Sequence, residues 1–272
     1  MSSVLELMKS GHKTMIGMVQ LGPLPGSSRY RGGSIDDLLE PALEDAECLA
    51  KYGFDAVMVQ NLGDLPVDKA VSRVQVAWMT RICAEVRHRC GVPVGVNFLE
   101  NDADAMFAVS SAADADFVRI KIFVGAMVTP FGIEDGQAFA AQRARNAWNA
   151  EHVAIFADVH DRTGTPLASS GLAEDLGFAV KLGGADGIVL TGKDYAQTLE
   201  FVRLGKETLK GVPIVVGGGA TSGNIAEIAG VADGAIVSSS LKDANDVFGR
   251  LAPPRVREFM DSAKRLRVNP AG

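Results

Sequence analysis

The chain is poor in several things, and each shortage removes a class of function. No run approaches the roughly 18 uninterrupted apolar residues of a membrane-spanning helix, so no integral membrane segment is expected. The opening MSSVLELMKSGHK has no basic stretch followed by an apolar one, so it does not read as a secretory signal, and a cytoplasmic location is expected. Cysteine is scarce and odd in number. Cys48, Cys83 and Cys90 fall in helix-like segments without paired metal spacing, which points to reduced structural thiols. Basic charge is not in excess: 27 Lys and Arg against 33 Asp and Glu leave a net charge of −6, arguing against a nucleic-acid partner. A local pocket can still hold an anion. Histidine is also sparse. His12, His88 and His152 are N-terminal or on helix-like segments, so Asp158-x-His160 lacks the third ligand that zinc requires. No metal and no other cofactor are expected.

What the chain does have is apolar residues (47%) and 30 glycines over 272 positions, enough for a sizeable core with many sharp corners. Short β-branched runs alternate with long amphipathic segments. The strand candidates are 15–20, 55–61, 93–98, 117–122, 153–160, 187–192, 213–218 and 234–239. Nearly continuous apolar strands separated by helices imply a parallel sheet covered on its outer face. Eight such units predict an α/β fold, a single (β/α)8 TIM barrel over 1–272, with 253–272 as a final helix and tail. An open doubly wound sheet is the alternative. A repeat supports closure, because a small residue and an aspartate recur before alternate strands at Asp55, Asp116, Asp186 and Asp233. These corners lie at the N-terminal, stability face of a barrel, so they read as turn residues.

Side chains alternate along a strand, so parity assigns faces. Val118, Ile120 and Ile122 make an apolar outward row, leaving Phe117, Arg119 and Lys121 inward. By the same rule Phe156, Asp158 and His160 point inward. So do Met18 and Gln20, Met58 and Gln60, Gly95 and Asn97, and Val189 and Thr191. Polar groups thus gather at the strand ends where barrel active sites form. Gln20, Gln60, Asn61, Asn97, Arg119 and Thr191 are the candidate substrate-binding residues, and Lys121, Asp158 and His160 the candidate catalytic ones. Lysine beside a carboxylate suits proton transfer or Schiff-base chemistry, and histidine moves protons near neutral pH. Lys121 or Arg119 could pair with Asp158. The competing reading is a buried structural ion network.

After the seventh candidate strand comes Gly217-Gly218-Gly219-Ala220-Thr221-Ser222, and after the eighth Ser238-Ser239-Ser240. Barrels often bind phosphate between these two loops, where glycine admits the anion to backbone N–H groups and serine adds donors. Gly217, Gly218, Gly219, Ser238, Ser239 and Ser240 are therefore the candidate phosphate-binding residues, with Thr221 or Ser222 as helix cap and Lys242 as a solvated helix residue. Tight loop geometry alone is the alternative. The first loop, Leu21 to Tyr30, is proline-stiffened and long enough to form a wall or lid.

The segments GMVQLGPLPGS at 17–27, VQNLGDLP at 59–66, VPVGVNFLENDA at 92–103, VRIKIFVGAMVT at 118–129, ADVH at 157–160 and DGAIVSSSLK at 233–242 together resemble the BtpA family. That family consists of predicted TIM-barrel proteins similar to ribulose-phosphate-binding barrels. The resemblance runs from about residue 14 to about 243. It implies either a role in photosystem I biogenesis, for which the family is named, or carbohydrate chemistry, since other members sit among carbohydrate genes. Gln20, Gln60, Lys121 and the Gly217–Gly219 triplet depart from the usual family residues, whereas Asp158 and His160 match. The departures imply a subgroup with its own substrate.

Two functions are expected in consequence. One is an enzyme acting on a phosphorylated small molecule, sugar-phosphate or nucleotide-like, by proton transfer or bond cleavage (lyase, isomerase or glycosidase chemistry). The other is a non-catalytic assembly factor for a membrane complex such as photosystem I. A phosphate-ligand sensor is a third. Barrels of this size often associate, so a homo-oligomer is an open expectation.

Overall fold

The computed structural model describes residues 3–268, with side chains through Lys264; of the final helix and tail expected over 253–272, positions 269–272 lie outside them. In chain order the elements begin with α1 (Val4–Lys9), β1 (Thr14–Gln20), α2 (Asp36–Tyr52), β2 (Ala56–Gln60), α3 (Arg73–Cys90), β3 (Val94–Asn97) and α4 (Ala103–Ala113). They continue with β4 (Phe117–Ile120), β5 (Ala126–Thr129), β6 (Gly132–Asp135), α5 (Ala138–Ala147), β7 (Ala154–Asp158), β8 (Thr165–Pro166) and α6 (Leu172–Lys181). The last are β9 (Gly187–Leu190), α7 (Tyr195–Thr208), β10 (Ile214–Val216), α8 (Ile225–Val231), β11 (Gly234–Val237) and α9 (Pro253–Val268).

Eight of the strands close a parallel barrel in the order β1-β11-β10-β9-β7-β4-β3-β2. Closure follows from the apolar runs: each strand buries both faces, one against helices and one against the other strands across the axis. The parity rule holds within the strands. Ile16, Met18, Met58, Phe117, Phe156, Val189, Val215 and Ile236 form the inner cluster, joined from below by Val4 and Met8 of α1. Phe117 and Phe156 meet edge to face, ring centroids 5.6 Å apart. Val57, Val94, Val118, Ile120, Ile155 and Ile214 join the larger outer layer beneath the helices.

The repeated corner has a physical role at the N-terminal end. Asp55 Oδ2 accepts the N–H of Met15, Asp116 that of Val94, Asp186 that of Ile155 and Asp233 that of Ile214, at 2.7–2.8 Å. Each aspartate staples the strand it enters to the neighbour before it. A basic side chain backs each one: His12, Arg87, Arg145 and Lys206. The preceding Gly53 ends α2 at φ 98, a left-handed conformation that a side chain would strain.

One element is absent from the sequence expectation. Between β4 and α5 the chain forms the hairpin β5–β6, which pairs antiparallel with β8 in a small second sheet. Its tip, Pro130 and Phe131, reaches the rim of the barrel mouth. All the barrel strands but β1 are shorter than expected at their C-terminal ends, and this decides where the next side chains go.

Candidate functional site

Because all eight strands are parallel, their C-terminal ends share one mouth, and a cavity of about 360 Å³ opens there. That size falls within the range of small-molecule sites. Gln20, Gln60, Arg119, Lys121 and Thr191 line it, as do Gly217–Gly219 and Ser238–Ser240. The structure therefore brings together most of the residues expected at the site.

The floor is built from amides and one ion pair. Arg119 donates through Nε and Nη2 to both oxygens of Asp158, at 2.8 and 2.7 Å. Both partners are almost wholly buried. Burial works against the charge on Arg119, but the adjoining carboxylate holds its pKa above the ordinary value. Beside the pair runs a directed chain of amides. Lys242 and Ser238 both donate to Gln20 Oε1, Gln20 Nε2 donates to Gln60 Oε1 at 3.1 Å, Gln60 Nε2 to Asn97 Oδ1 at 2.5 Å, and Asn97 Nδ2 to the Arg119 carbonyl. Lysine only donates and a carbonyl only accepts, so the two ends impose one orientation on every amide between. Lys242, read from sequence as solvated, is 2% exposed and anchors this chain.

Several expected residues sit elsewhere. Asp158 lies beneath Arg119 with both oxygens occupied, and Asn97 is buried below the cavity. Asn61 is also buried outside it, clamping Asp64, Glu100 and the Leu99 N–H. His160 does not line this cavity either. β7 ends at Asp158, and His160 takes a left-handed φ of 56 that breaks the strand alternation. Its ring turns to Asp175 (2.7 Å) and Ser169 in a second cavity, which Lys121 and Asp158 also line. Nor does Lys121 pair with Asp158: it lies 3.3 Å from Asp161 Oδ1 and donates to the Thr163 hydroxyl.

Strand parity does not single out Asp161 and Arg162, yet both line the cavity. Burial alone would raise the Asp161 carboxyl, but Lys121, Thr163 and Arg119 hold it down to about 2. The Arg162 guanidinium lies against Gly218, about 3.5 Å from where a Cβ there would be, and makes no hydrogen bond or ion pair among the described residues. The turn-forming Asp-Arg-Thr-Gly run at 161–164 was the available signal: it stops the strand and turns its own side chains toward the mouth.

On the opposite side of the ion pair, loop geometry is equally constrained. A side chain at Gly217 would collide with Thr191 Oγ1, Val189 and Arg119. Thr191 is 3% exposed, and its hydroxyl has no hydrogen-bond partner among the described residues. The Ser240 hydroxyl donates to the Ala220 carbonyl at 2.7 Å, tying the two loops together. Neither Thr221 nor Ser222 caps α8; Asn224 precedes it and folds back onto Thr221 N–H and the Gly219 carbonyl. Arg29 of the first loop stacks on Phe248 beside a smaller neighbouring cavity, whereas Tyr30 packs on Trp78. Among the described residues no three His, Cys, Asp or Glu side chains converge as a metal site, and no helix is long and apolar enough to cross a membrane.

Solved structures share the architecture. The chain superposes on tryptophan synthase from M. tuberculosis with a TM-score of 0.62 at 17% identity, covering 96% of this chain and 98% of that one. N-(5'-phosphoribosyl)anthranilate isomerase from Pyrococcus furiosus gives 0.58 at 16% identity, covering 93% and 100%. Such low identity speaks to fold alone. Sequence relatives are nearer: an uncharacterized protein of Thermococcus kodakarensis is 36% identical over 94% of this chain and 97% of its own length. The photosystem I biogenesis protein BtpA of Synechocystis is 35% identical over 96% and 91%. With the BtpA family model matching residues 11–265 as well, the chain belongs to the BtpA family.

Proposed function

We propose that this chain is an enzyme that binds a phosphorylated small molecule, sugar-phosphate or nucleotide-like, and moves a proton or breaks a bond in it. The observation that carries the reading is the buried, unpartnered Thr191 hydroxyl beside Gly217, where a Cβ would collide with it. A buried hydroxyl without a partner costs about 1–3 kcal/mol, and a ligand oxygen would recover it. The N–H groups of Gly218, Gly219 and Ala220 donate to no protein group among the described residues, and the long arm of Arg162 stands over them. Backbone donors plus an arginine fork suit a phosphate.

Within this reading Lys121 is the catalytic group. Asp161 stays ionised and holds the ammonium at the rim, where it donates a proton to, or stabilises, an oxygen that gains negative charge. Asp158 orients Arg119 under the reacting atoms, and His160 takes no part. The likeness to tryptophan synthase and to phosphoribosylanthranilate isomerase lends support by fold alone.

Thermal unfolding with inorganic phosphate, ribose 5-phosphate and ribose tests the reading. A ligand held at a hundredfold excess over its dissociation constant adds about 2.7 kcal/mol. Stabilisation by the phosphorylated compounds and none by ribose is expected. No stabilisation by any phosphorylated compound would sink the phosphate site.

The assembly-factor reading has two observations in its favour. A relative named for photosystem I biogenesis aligns along nearly the whole chain, and Phe139 and Leu182 stand exposed near α5 and α6. Under that reading the protein sediments with membranes at moderate salt, and Phe139→Ser with Leu182→Ser releases it.

A further inference from the structure

The polar and apolar groups of the cavity concentrate on different walls. They face each other. In the eight-strand ring β10 and β3 stand four places apart, as do β11 and β4, so each pair is diametrically opposed. The glycine loop follows β10 and the serine loop follows β11. Across the mouth, the residues following β2, β3 and β4 bring Leu62, Leu65, Leu99 and Ile122, with Pro130 and Phe131 descending from the β5–β6 hairpin. Between the poles lie Gln20, Gln60, Arg119 and Lys121.

The apolar pole offers few polar partners. Asn101, which also lines it, spends its amide on the N–H and carbonyl of Ile122. Thr129 is engaged with Gly132 and Phe131 of its own turn. Glu134 stands at the rim with its carboxylate open to a ligand. Burial pushes its carboxyl up, and it is in the ionised form that it repels an anion placed at this pole. A ligand made only of hydroxyls and phosphate would set unsatisfied donors against this wall, at a cost for each buried group. A flat unsaturated ring would bury apolar area on the leucines and meet the Phe131 ring.

Resting on the phosphate reading above, we infer that the ligand is a phosphate ester whose far end is a planar aryl or nucleobase-like ring, joined through a hydroxyl-bearing middle. The phosphate sits at the β10–β11 loops and the hydroxyls over the amide and arginine floor. The ring lies against Leu65, Leu99 and Phe131. A simple triose or pentose phosphate would leave that third of the site empty.

The test compares dissociation constants of ribose 5-phosphate with those of purine and pyrimidine nucleoside 5'-monophosphates, by calorimetry on the full chain. At least one ring-bearing compound is expected to bind about tenfold tighter than ribose 5-phosphate. Phe131→Ala, at an exposed hairpin tip, and Leu65→Gln, at a partly exposed loop, are each expected to bring that ratio towards one. Equal affinities in the wild-type chain, or a ratio that neither variant changes, would overturn the inference while leaving the phosphate site standing. If neither ribose 5-phosphate nor any monophosphate binds, both readings fall together.

Discussion

The two ends of this barrel carry polar side chains in opposite conditions. At the N-terminal end Asp55, Asp116, Asp186 and Asp233 each accept a strand N–H and lie beside a basic side chain. At the C-terminal end, among the described residues, Thr191 has no partner, Arg162 pairs with nothing, and glycine leaves backbone donors uncovered. Saturated polar groups hold a fold together; unsaturated ones wait for something else. The contrast separates the residues that build the barrel from those available to a ligand.

Asp158 tests the boundary most severely, because it stands at the mouth yet is saturated. Asp158→Ala strands the buried Arg119 and is expected to cost about 3–5 kcal/mol in denaturant unfolding. A loss below about 1 kcal/mol would mean that the pair contributes little to the fold. Asp161→Asn comes next, at about 2 kcal/mol at pH 7. Its folded pKa of about 2 lies below the ordinary value near 3.9, so its stability is present above about pH 4 and is lost as pH falls through about 2. The variant is expected to flatten that acid limb of the stability–pH curve.

Asp233→Ala is expected to cost about 1–3 kcal/mol by leaving the Ile214 N–H without its acceptor, with no change in affinity for ribose 5-phosphate. An affinity loss there would break the division between the two ends. The smallest change in stability has the opposite sign. Thr191→Val removes an unsatisfied hydroxyl and is expected to stabilise the free protein by up to about 1 kcal/mol, while lowering ribose 5-phosphate affinity by roughly tenfold. Equal affinity in this variant would take the hydroxyl out of the site.

Much of the site was legible because parity within a strand is a rule of backbone geometry. Gln20, Gln60 and Arg119 point where alternation sends them, and the glycine and serine loops sit at the mouth because strand direction puts them there. The rule weakens past a strand end: Lys121 and Thr191, one residue beyond β4 and β9, still reach the cavity, whereas the left-handed backbone of His160, two residues beyond β7, turns that side chain away, and Asp161 and Arg162 beyond it line the mouth. Asn61 lies just beyond β2 and turns into the loop cluster of Asp64, Glu100 and Gln75. The hairpin at 126–135 leaves little trace in the sequence because its strands bury little: Val128 and Ile133 are largely exposed.

The sequence by itself determined the barrel, the burial of its strands and the aspartate staples, because these depend on local periodicity and on recurring corners. It also determined that polar groups gather at one face. Only the tertiary structure decided which of them remain without a partner. Pairing depends on atoms from strands some 40 residues apart, as when Arg119 takes Asp158 and leaves Lys121 to Asp161. Saturation is a property of the assembled mouth, and no single segment of the chain encodes it.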